Sequence, residues 1–502
     1  SATASASMPT AATATTPLVL TRTNTKGYFK LDRMPVGAAI PVVIQSGRWR
    51  KKITIDNTAQ SCATKTLNTV PTAACPGGVC QAPTANNTTF GATQTADNNI
   101  PKFAVASGGA DALQCLLRKI GIADSEFTNP AGTGRVNIYH GDQGTTKYST
   151  INGGAAFPDE TVLYGSTSST DLTQLNKYDA VVLSCNGGGG ERQNALASKR
   201  CQGGNNGGTN CTANNQCNSN NCAYDYLPAT GLSGYRDEIK AYADEGGKLF
   251  LTHWHYAWLK YGPGNWGTTD PVTGTPTGKI ATITSVDEDL VSPIGATINN
   301  PNTVGGHGYN LSDFLVQANI NAGNIPPPTR GTLQIIDGQH NVFSIDAVRA
   351  TPHISIAAGM SIETPVCVGG TRDGNSCCPA NNGGNQGVCN GSNVCVGGSR
   401  NGQTCCSGGA CRTTNANPSM QQFYFQTPLP DVAQAPGTQC GRVVMSDIHV
   451  ARDPVGDTNG GFPSNCTSTG MTDQERTLAF EIFNLTSFGT PPTSTNPQCT
   501  PR

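Results

Sequence analysis

The chain has 502 residues, a formal net charge of −1 and only 13% charged residues. That length is enough for two to four domains, and the near-neutral balance argues against a nucleic-acid partner, which calls for a basic excess. No apolar run is long enough to span a bilayer as a helix, and the 60 Gly and 32 Pro imply a loop-rich surface made polar without charge.

The 20 cysteines decide the expected compartment. They include no C-x-x-C-H haem attachment, and the histidines are too rare and too distant for zinc-finger spacing. An even number crowded into Gly/Asn-rich tracts implies disulfides formed in an oxidising compartment, so the expected location is secreted, extracellular or at the cell surface. The chain starts at Ser1 without an initiator Met or a signal peptide, which reads as a processed product.

Residues 1–16 form an Ala/Thr/Ser/Pro tract without periodicity, expected to be a flexible or exchanged arm. Residues 17–60 turn strand-like: Leu18-Val19-Leu20, Tyr28-Phe29-Lys30-Leu31, Ile40 to Ile44 and Ile53-Thr54-Ile55 are separated by Gly and Pro turns. Thr23-x-x-x-Gly27-Tyr28-Phe29-x-Leu31-x-x-x-Pro35-x-Gly37 resembles the hairpin of the carboxypeptidase regulatory-like β-sandwich, which implies a partial domain with few strands ahead of it. Its edge, with Leu18, Val19, Leu20 and Trp49, is the expected assembly surface, because an unpaired edge templates another chain's strand. Arg48-Trp49-Arg50-Lys51-Lys52 is the one basic cluster; it suits an anionic polysaccharide or plain alternation along an exposed strand. Residues 61–97 read as a linker carrying Cys62, Cys75 and Cys80.

Residues 98–490 read as an α/β domain. Residues 100–107 are a buried strand, followed by Gly108-Gly109-Ala110-Asp111 and a helix with Ala112, Leu113, Leu116, Leu117 and Ile120 on one face. Strands at residues 135–139 and 178–185, a helix at 234–245 ending in Gly246-Gly247, and the strand Lys248-Leu249-Phe250-Leu251-Thr252 complete a β-α-β-β-α-β order, which means a mostly parallel sheet. Tyr178-Asp179-Ala180-Val181-Val182-Leu183-Ser184-Cys185, Tyr242-Ala243-Asp244-Glu245-Gly246-Gly247 and Lys248-Leu249-Phe250-Leu251-Thr252-His253 resemble the glutamine-amidotransferase-like superfamily, closest to its ThuA-like branch. Gly441-Arg442-Val443 to His449 is similar to the G-R-V strand ending in His of that branch. The resemblance implies a flavodoxin-like sheet with helices on both faces, and the overall layout resembles large secreted proteins of myxobacteria and related δ-proteobacteria. Thr472-x-x-Glu475 is a capping box, and Leu478, Ala479, Ile482, Phe483 and Leu485 form the apolar face of the closing helix before a tail at 491–502.

Two insertions, 186–226 and 364–413, interrupt this domain. Cys201 to Cys211, Cys367 to Cys377 and Cys395 to Cys405 share the template C-x-G-G-x-x-x-G-x-x-C, continued by Cys217 and Cys222, by Cys378 and Cys389, and by Cys406 and Cys411. Units with so few apolar residues must be held by disulfides. The connectivity is open at this point, as is the choice between an interaction knob and a stapled surface loop.

Ligands of open α/β sheets sit beyond the carboxyl ends of the strands. That makes His253, His255 and His449, with Asp111 and Asp447, the candidate catalytic or metal-binding residues. In the amidotransferase family a Cys nucleophile occupies the sharp turn after the strand; here Thr252-His253 stands there, so that chemistry lacks its central group and the chain reads as more a non-enzyme than an enzyme. Cys185 reads as a disulfide or buried thiol, and the histidines also suit packing against Trp254, Tyr256 and Trp258. Asp453, Asp457 and Asn459 alternate as in calcium loops but lack the distal Glu, so a plain turn is favoured, Ca2+ is the one cofactor weighed, and none is otherwise expected. The expected function is a secreted structural or adhesive protein, a self-assembling filament subunit joined by strand addition. The alternatives are a surface-glycan contact, or a carbohydrate-binding or hydrolytic enzyme using the His-lined cleft.

Overall fold

The computed structural model describes residues 3–6, 19–23, 29–58, 88–141, 148–151, 156–164, 172–185, 199–201, 214–216, 218, 222–224, 234–260, 266, 280–283, 289–321, 329–336, 338–368, 376–379, 387–390, 392–429, 439–450, 460–464, 466 and 470–487. Within them the chain is a mixed α/β protein with two principal sheets.

The smaller sheet contains β1 (Thr3–Ala6), β2 (Val19–Arg22), β3 (Gly37–Ser46), β4 (Trp49–Asn57) and β5 (Asn98–Asn99), in the order β2-β1-β3-β4-β5. Its period-two alternation turns Ile40, Val42, Ile44, Ile53 and Ile55 to one side, where Phe29, Leu31, Met34 and Phe90 pack against them. Phe29 and Leu31 do so from outside any strand, unlike the strand expected there. Trp49 shares the parity of Ile53 and Ile55 and is buried rather than turned to an assembly partner. Its indole Nε1–H donates to Thr486 Oγ1 at 2.9 Å, and its ring lies 4.8 Å from that of Phe483. The basic cluster around it is largely answered within the chain: Arg48 lies 3.5 Å from Asp179, Lys52 lies 3.2 Å from Asp97, and Lys51 donates to Thr89 O at 2.8 Å.

The larger sheet has ten strands: β6 (Phe103–Ser107), β7 (Phe127–Thr128), β8 (Val136–His140), β9 (Ala180–Leu183), β10 (Lys248–Thr252), β11 (Ile294–Ile298), β12 (Thr332–Ile335), β13 (Ala350–Ile356), β14 (Ser419–Thr427) and β15 (Gly441–Ser446). Their order is β12-β11-β13-β14-β15-β10-β9-β6-β8-β7. From β15 to β7 every pairing is parallel; from β15 back to β12 every pairing is antiparallel. The sheet is therefore mixed, where a mostly parallel one was expected. Its parallel half holds the strands that the sequence pattern predicts together with the short β7, which the pattern does not predict, and the antiparallel strands β11 to β14 have no counterpart in that reading.

The longer helices that flank this sheet among the described residues are α1 (Leu113–Lys119), α2 (Gly234–Asp244), α3 (His307–Asn321) and α4 (Asp473–Ser487). Alternate residues of β6 face opposite cores, Phe103 and Val105 towards α1, α3 and α4, and Ala104 and Ala106 towards α2. Burial on both faces is why these strands read as unbroken apolar runs. The capping box closes as its spacing predicts: Glu475 Oε2 accepts from Thr472 N–H at 2.8 Å, and Thr472 Oγ1 accepts from Glu475 N–H at 3.2 Å. Gly246 ends α2 at φ +103, a conformation that penalises any residue with a Cβ.

Five disulfides join described residues. Cys115–Cys466 ties α1 to the chain ahead of α4. The other four are Cys367–Cys406, Cys377–Cys411, Cys378–Cys395 and Cys389–Cys405. Each of these four joins the second repeat to the third, so the two copies form one interlocked unit rather than two separately stapled loops. In the first repeat the backbone pairing sets Cys201 opposite Cys222, while Cys211 and Cys217 lie outside the described residues. No described helix is long and apolar enough to cross a membrane.

Candidate functional site

Four neighbouring parallel strands, β6, β9, β10 and β15, end at the same edge of the large sheet. The register sets Leu183 beside Leu251 and Thr252 beside Ser446, so the residues that follow them, Cys185, His253 and Asp447, emerge at one level. The chain after β6 reaches that level through Gly108, where an added Cβ would collide with the backbone carbonyl of Cys185. Only glycine fits there, and the close approach carries Asp111 to the same place.

The result is a buried cluster. Cys185 Sγ lies 3.3 Å from His253 Nδ1, and His449 Nε2 lies 3.0 Å from the same nitrogen. His253 Nε2 lies 2.9 Å from Asn341 Oδ1, so that nitrogen carries the proton and Nδ1 presents its lone pair to the thiol. His253 has φ +36, a strained value for a residue with a side chain, at the sharp turn after β10. Asp111 Oδ1 accepts from Val450 N–H at 2.7 Å. Neither its Oδ2 nor either oxygen of Asp447 has a partner within normal hydrogen-bond geometry among the described residues, although the Thr252 side chain faces Asp111 and the backbone of Val342 faces Asp447.

Burial would push the Cys185 thiol up, but the two imidazoles beside it bring it down to about 6. Burial pushes the Asp447 carboxyl up to about 6 and raises Asp111 as well, in both cases against the pull of His253 and His449. Chemically this is an acidified thiol–imidazole pair backed by a second imidazole and two carboxylates. Such a set can act as a nucleophile with its base, or as donors to a metal ion.

Of the five residues singled out in the sequence, His253, His449, Asp111 and Asp447 meet here. His255 does not join them. The strand stops at Thr252, and His253–Tyr256 form a single 3-10 turn that swings the second ring away. His255 Nε2–H donates to Ser184 O at 3.1 Å while its Nδ1 accepts from Trp258 Nε1–H at 3.2 Å, so both nitrogens are committed to the packing role also weighed for it. Burial drives its pKa down to about 3. Cys185 is a free, buried thiol and not part of a disulfide; the signal for its role was its position after β9, one strand from His253. Asn341 gave no signal at all. Asp453, Asp457 and Asn459 lie outside the described residues.

A second feature sits in the small sheet. β1 lies between β2 and β3 and pairs antiparallel with both: Ser5 stands beside Leu20 on one side and Val43 on the other. Val19 is half-buried and Leu20 is exposed on β2, while Leu18 lies outside the described residues.

No family matches this chain, and no match was found among curated proteins or solved structures.

Proposed function

We propose that the chain is a secreted, extracellular structural subunit that joins to further copies of itself by β-strand addition through its N-terminal segment. The observation that carries this reading is the placement of Thr3–Ala6 in a slot one strand wide, between β2 and β3. Take β1 away and β2 loses its hydrogen-bonded neighbour while β3 shows an open edge. Residues 7–18 separate β1 from β2. Fully extended, such a stretch reaches roughly 40 Å, far enough for the same four-residue strand to fill the slot of an adjacent copy. A donor segment and an acceptor slot on different parts of one chain make a heterologous contact, which propagates instead of closing.

Three further features support the extracellular part of the reading: four disulfides interlocking the repeats, low charge, and no described helix able to cross a membrane. The parallel half of the large sheet, with helices on both faces and a sharp turn at His253, supports the amidotransferase-like resemblance as a scaffold without its nucleophile at that turn.

The test is a cysteine pair across the slot, Ser5→Cys with Val43→Cys, analysed on non-reducing gels and by electron microscopy. Exchange between copies gives a ladder of covalent multimers, and deleting residues 1–16 abolishes extended assemblies. A product that is wholly monomeric and internally cross-linked, with no assemblies in the intact protein, refutes the reading.

A further inference from the structure

We propose that Cys185, His253 and His449 bind a zinc-class divalent transition-metal ion, with Asp447 as a nearby buried carboxylate that offsets its charge. This is independent of strand exchange, because the residues sit in the large sheet and none belongs to the small one.

Geometry comes first. The three donor atoms lie within 4.8 Å of one another. Bonds of about 2.3 Å to sulfur and about 2.0–2.1 Å to nitrogen, at tetrahedral angles, call for S···N of about 3.6 Å and N···N of about 3.3 Å. The observed 3.3 Å and 3.0 Å are within a few tenths of an ångström of those separations. The donors come from three neighbouring strand ends, so the rigid part of the fold already holds them in place.

The protonation pattern fits as well. Asn341 takes the Nε2 proton of His253 and leaves Nδ1 as a lone-pair donor, the outer hydrogen bond that metal-bound imidazoles characteristically make. Both Cys185 Sγ and His449 Nε2 converge on that one nitrogen. A single in-plane lone pair accepts one good hydrogen bond, not two, whereas an ion among the three atoms satisfies them all.

Charge decides it. Asp447 is fully buried and neither of its oxygens has a partner in normal geometry among the described residues; Asp111 is buried with one such oxygen. Burying a carboxylate with few hydrogen-bond partners costs several kcal/mol, and two buried carboxylates beside a thiol, with Asp111 held by Val450 N–H and Asp447 facing only the Val342 backbone, make an arrangement that a dication relieves. On binding, the thiol proton leaves to solvent, so the ion meets a thiolate, and the buried carboxylates nearby add further negative charge. One thiolate with two imidazoles is too soft a set for Ca2+ or Mg2+ and suits zinc or its neighbours in the first transition row.

The test begins with the unmodified chain, purified without reductant so that the disulfides stay closed. Elemental analysis is expected to give about one zinc-class ion per chain. After chelation and loading with Co2+, a near-ultraviolet thiolate-to-cobalt charge-transfer band should appear. Cys185→Ser should abolish the band, and His449→Gln should weaken Co2+ binding by roughly tenfold or more. His255→Gln should change neither. Should Cys185→Ser not fold, the band in the unmodified chain and its response to His449→Gln carry the decision. A folded, unmodified chain that gives no such band refutes the proposal. So does a band that survives in folded Cys185→Ser, or rapid alkylation of Cys185 in the untreated chain, which would mark an open nucleophile.

Discussion

The Cys115–Cys466 bridge permits the most quantitative prediction. It closes a loop of 351 residues, against 16 to 39 for the four bridges of the interlocked repeats. If a disulfide acts by restricting the unfolded chain, a loop of that length is worth about 6 kcal/mol at 25 °C, and the logarithm makes this insensitive to the shorter bridges nested inside it. Residual structure in the unfolded chain lowers the figure, and measured losses for single native disulfides run at about 2–5 kcal/mol. The double substitution Cys115→Ala/Cys466→Ala is therefore expected to destabilise by about 3–5 kcal/mol. Within the repeats, removing only Cys377–Cys411 leaves three crossing bridges in place, which shorten the loop it closes to about 15 residues, and should cost less, at most about 3 kcal/mol. Urea unfolding followed by the fluorescence of the 4 tryptophans compares the two variants directly. A loss below about 1 kcal/mol for the long-range pair, or a larger loss for the single bridge of the repeats, refutes the reasoning.

Three further predictions concern the body of the fold. Trp49→Ala should cost about 3–5 kcal/mol by emptying the site against Phe483 and should expose the β3–β4 hairpin to proteolysis; an unchanged digestion pattern would show that the ring does not dock the small sheet. Gly108→Ala forces a Cβ into the carbonyl of Cys185 and should destabilise by more than about 3 kcal/mol, read as a lowered urea midpoint; a midpoint near that of the unmodified chain contradicts the close approach. His255 is held neutral, its pKa driven by burial from 6.5 to about 3. As pH falls through that window the unfolded chain takes up a proton that the folded chain refuses, so stability is present above about pH 6.5 and lost progressively below it, by on the order of 5 kcal/mol in all. His255→Gln can keep both hydrogen bonds without titrating; urea midpoints between pH 7 and pH 4 should therefore fall less steeply in the variant, and an equally steep fall would place the acid sensitivity elsewhere.

How much of this was legible in the sequence depended on burial and on adjacency. The strands at Phe103–Ser107, Ala180–Leu183 and Lys248–Thr252 are covered on both faces and announce themselves as apolar runs ending near Gly or polar residues. The antiparallel half is quieter. Ile294–Ile298 and Thr332–Ile335 alternate buried and exposed residues over only four or five positions, and Ala350–Ile356 carries Pro352 and His353. The strand-end rule found His253, His449, Asp111 and Asp447, because parallel strands put their carboxyl ends on one edge whatever their exact order. Cys185 was harder to place: the glycines and cysteines that follow it in sequence point to a disulfide, and only the pairing of β9 with β10 shows His253 beside it. The basic neighbours of Trp49 suggest an exposed strand, whereas its parity with Ile53 and Ile55 carries the opposite answer. The crossing of disulfides between the second and third repeats has no counterpart in spacing, because the shared template is compatible with pairing inside each copy.

A second buried cluster shows why charge, and not only donor geometry, singles out Cys185, His253 and His449. His307 Nε2 lies 2.6 Å and His353 Nδ1 3.2 Å from Glu481 Oε1, and the two rings stack with centroids 3.3 Å apart. On distances alone this set could also hold an ion. Its surroundings differ. Burial would push the Glu481 carboxyl up, yet His307 and His353 hold it well below its usual range, and the guanidinium of Arg442, seated 3.7 Å over the Tyr424 ring, adds a further positive charge that Glu481 offsets. One carboxylate already answered by a buried arginine leaves no negative excess to attract a dication, whereas the Cys185 cluster has a thiol and two carboxylates with no arginine or lysine among the groups acting on them. Glu481→Gln should consequently leave the metal content of the chain unchanged while costing about 3–5 kcal/mol, because it strands the Arg442 charge in the interior. Elemental analysis and urea unfolding on the same sample read both quantities. Metal lost together with Glu481 would move the centre from the parallel strand ends to the face beneath α4, and the charge argument would fall with it.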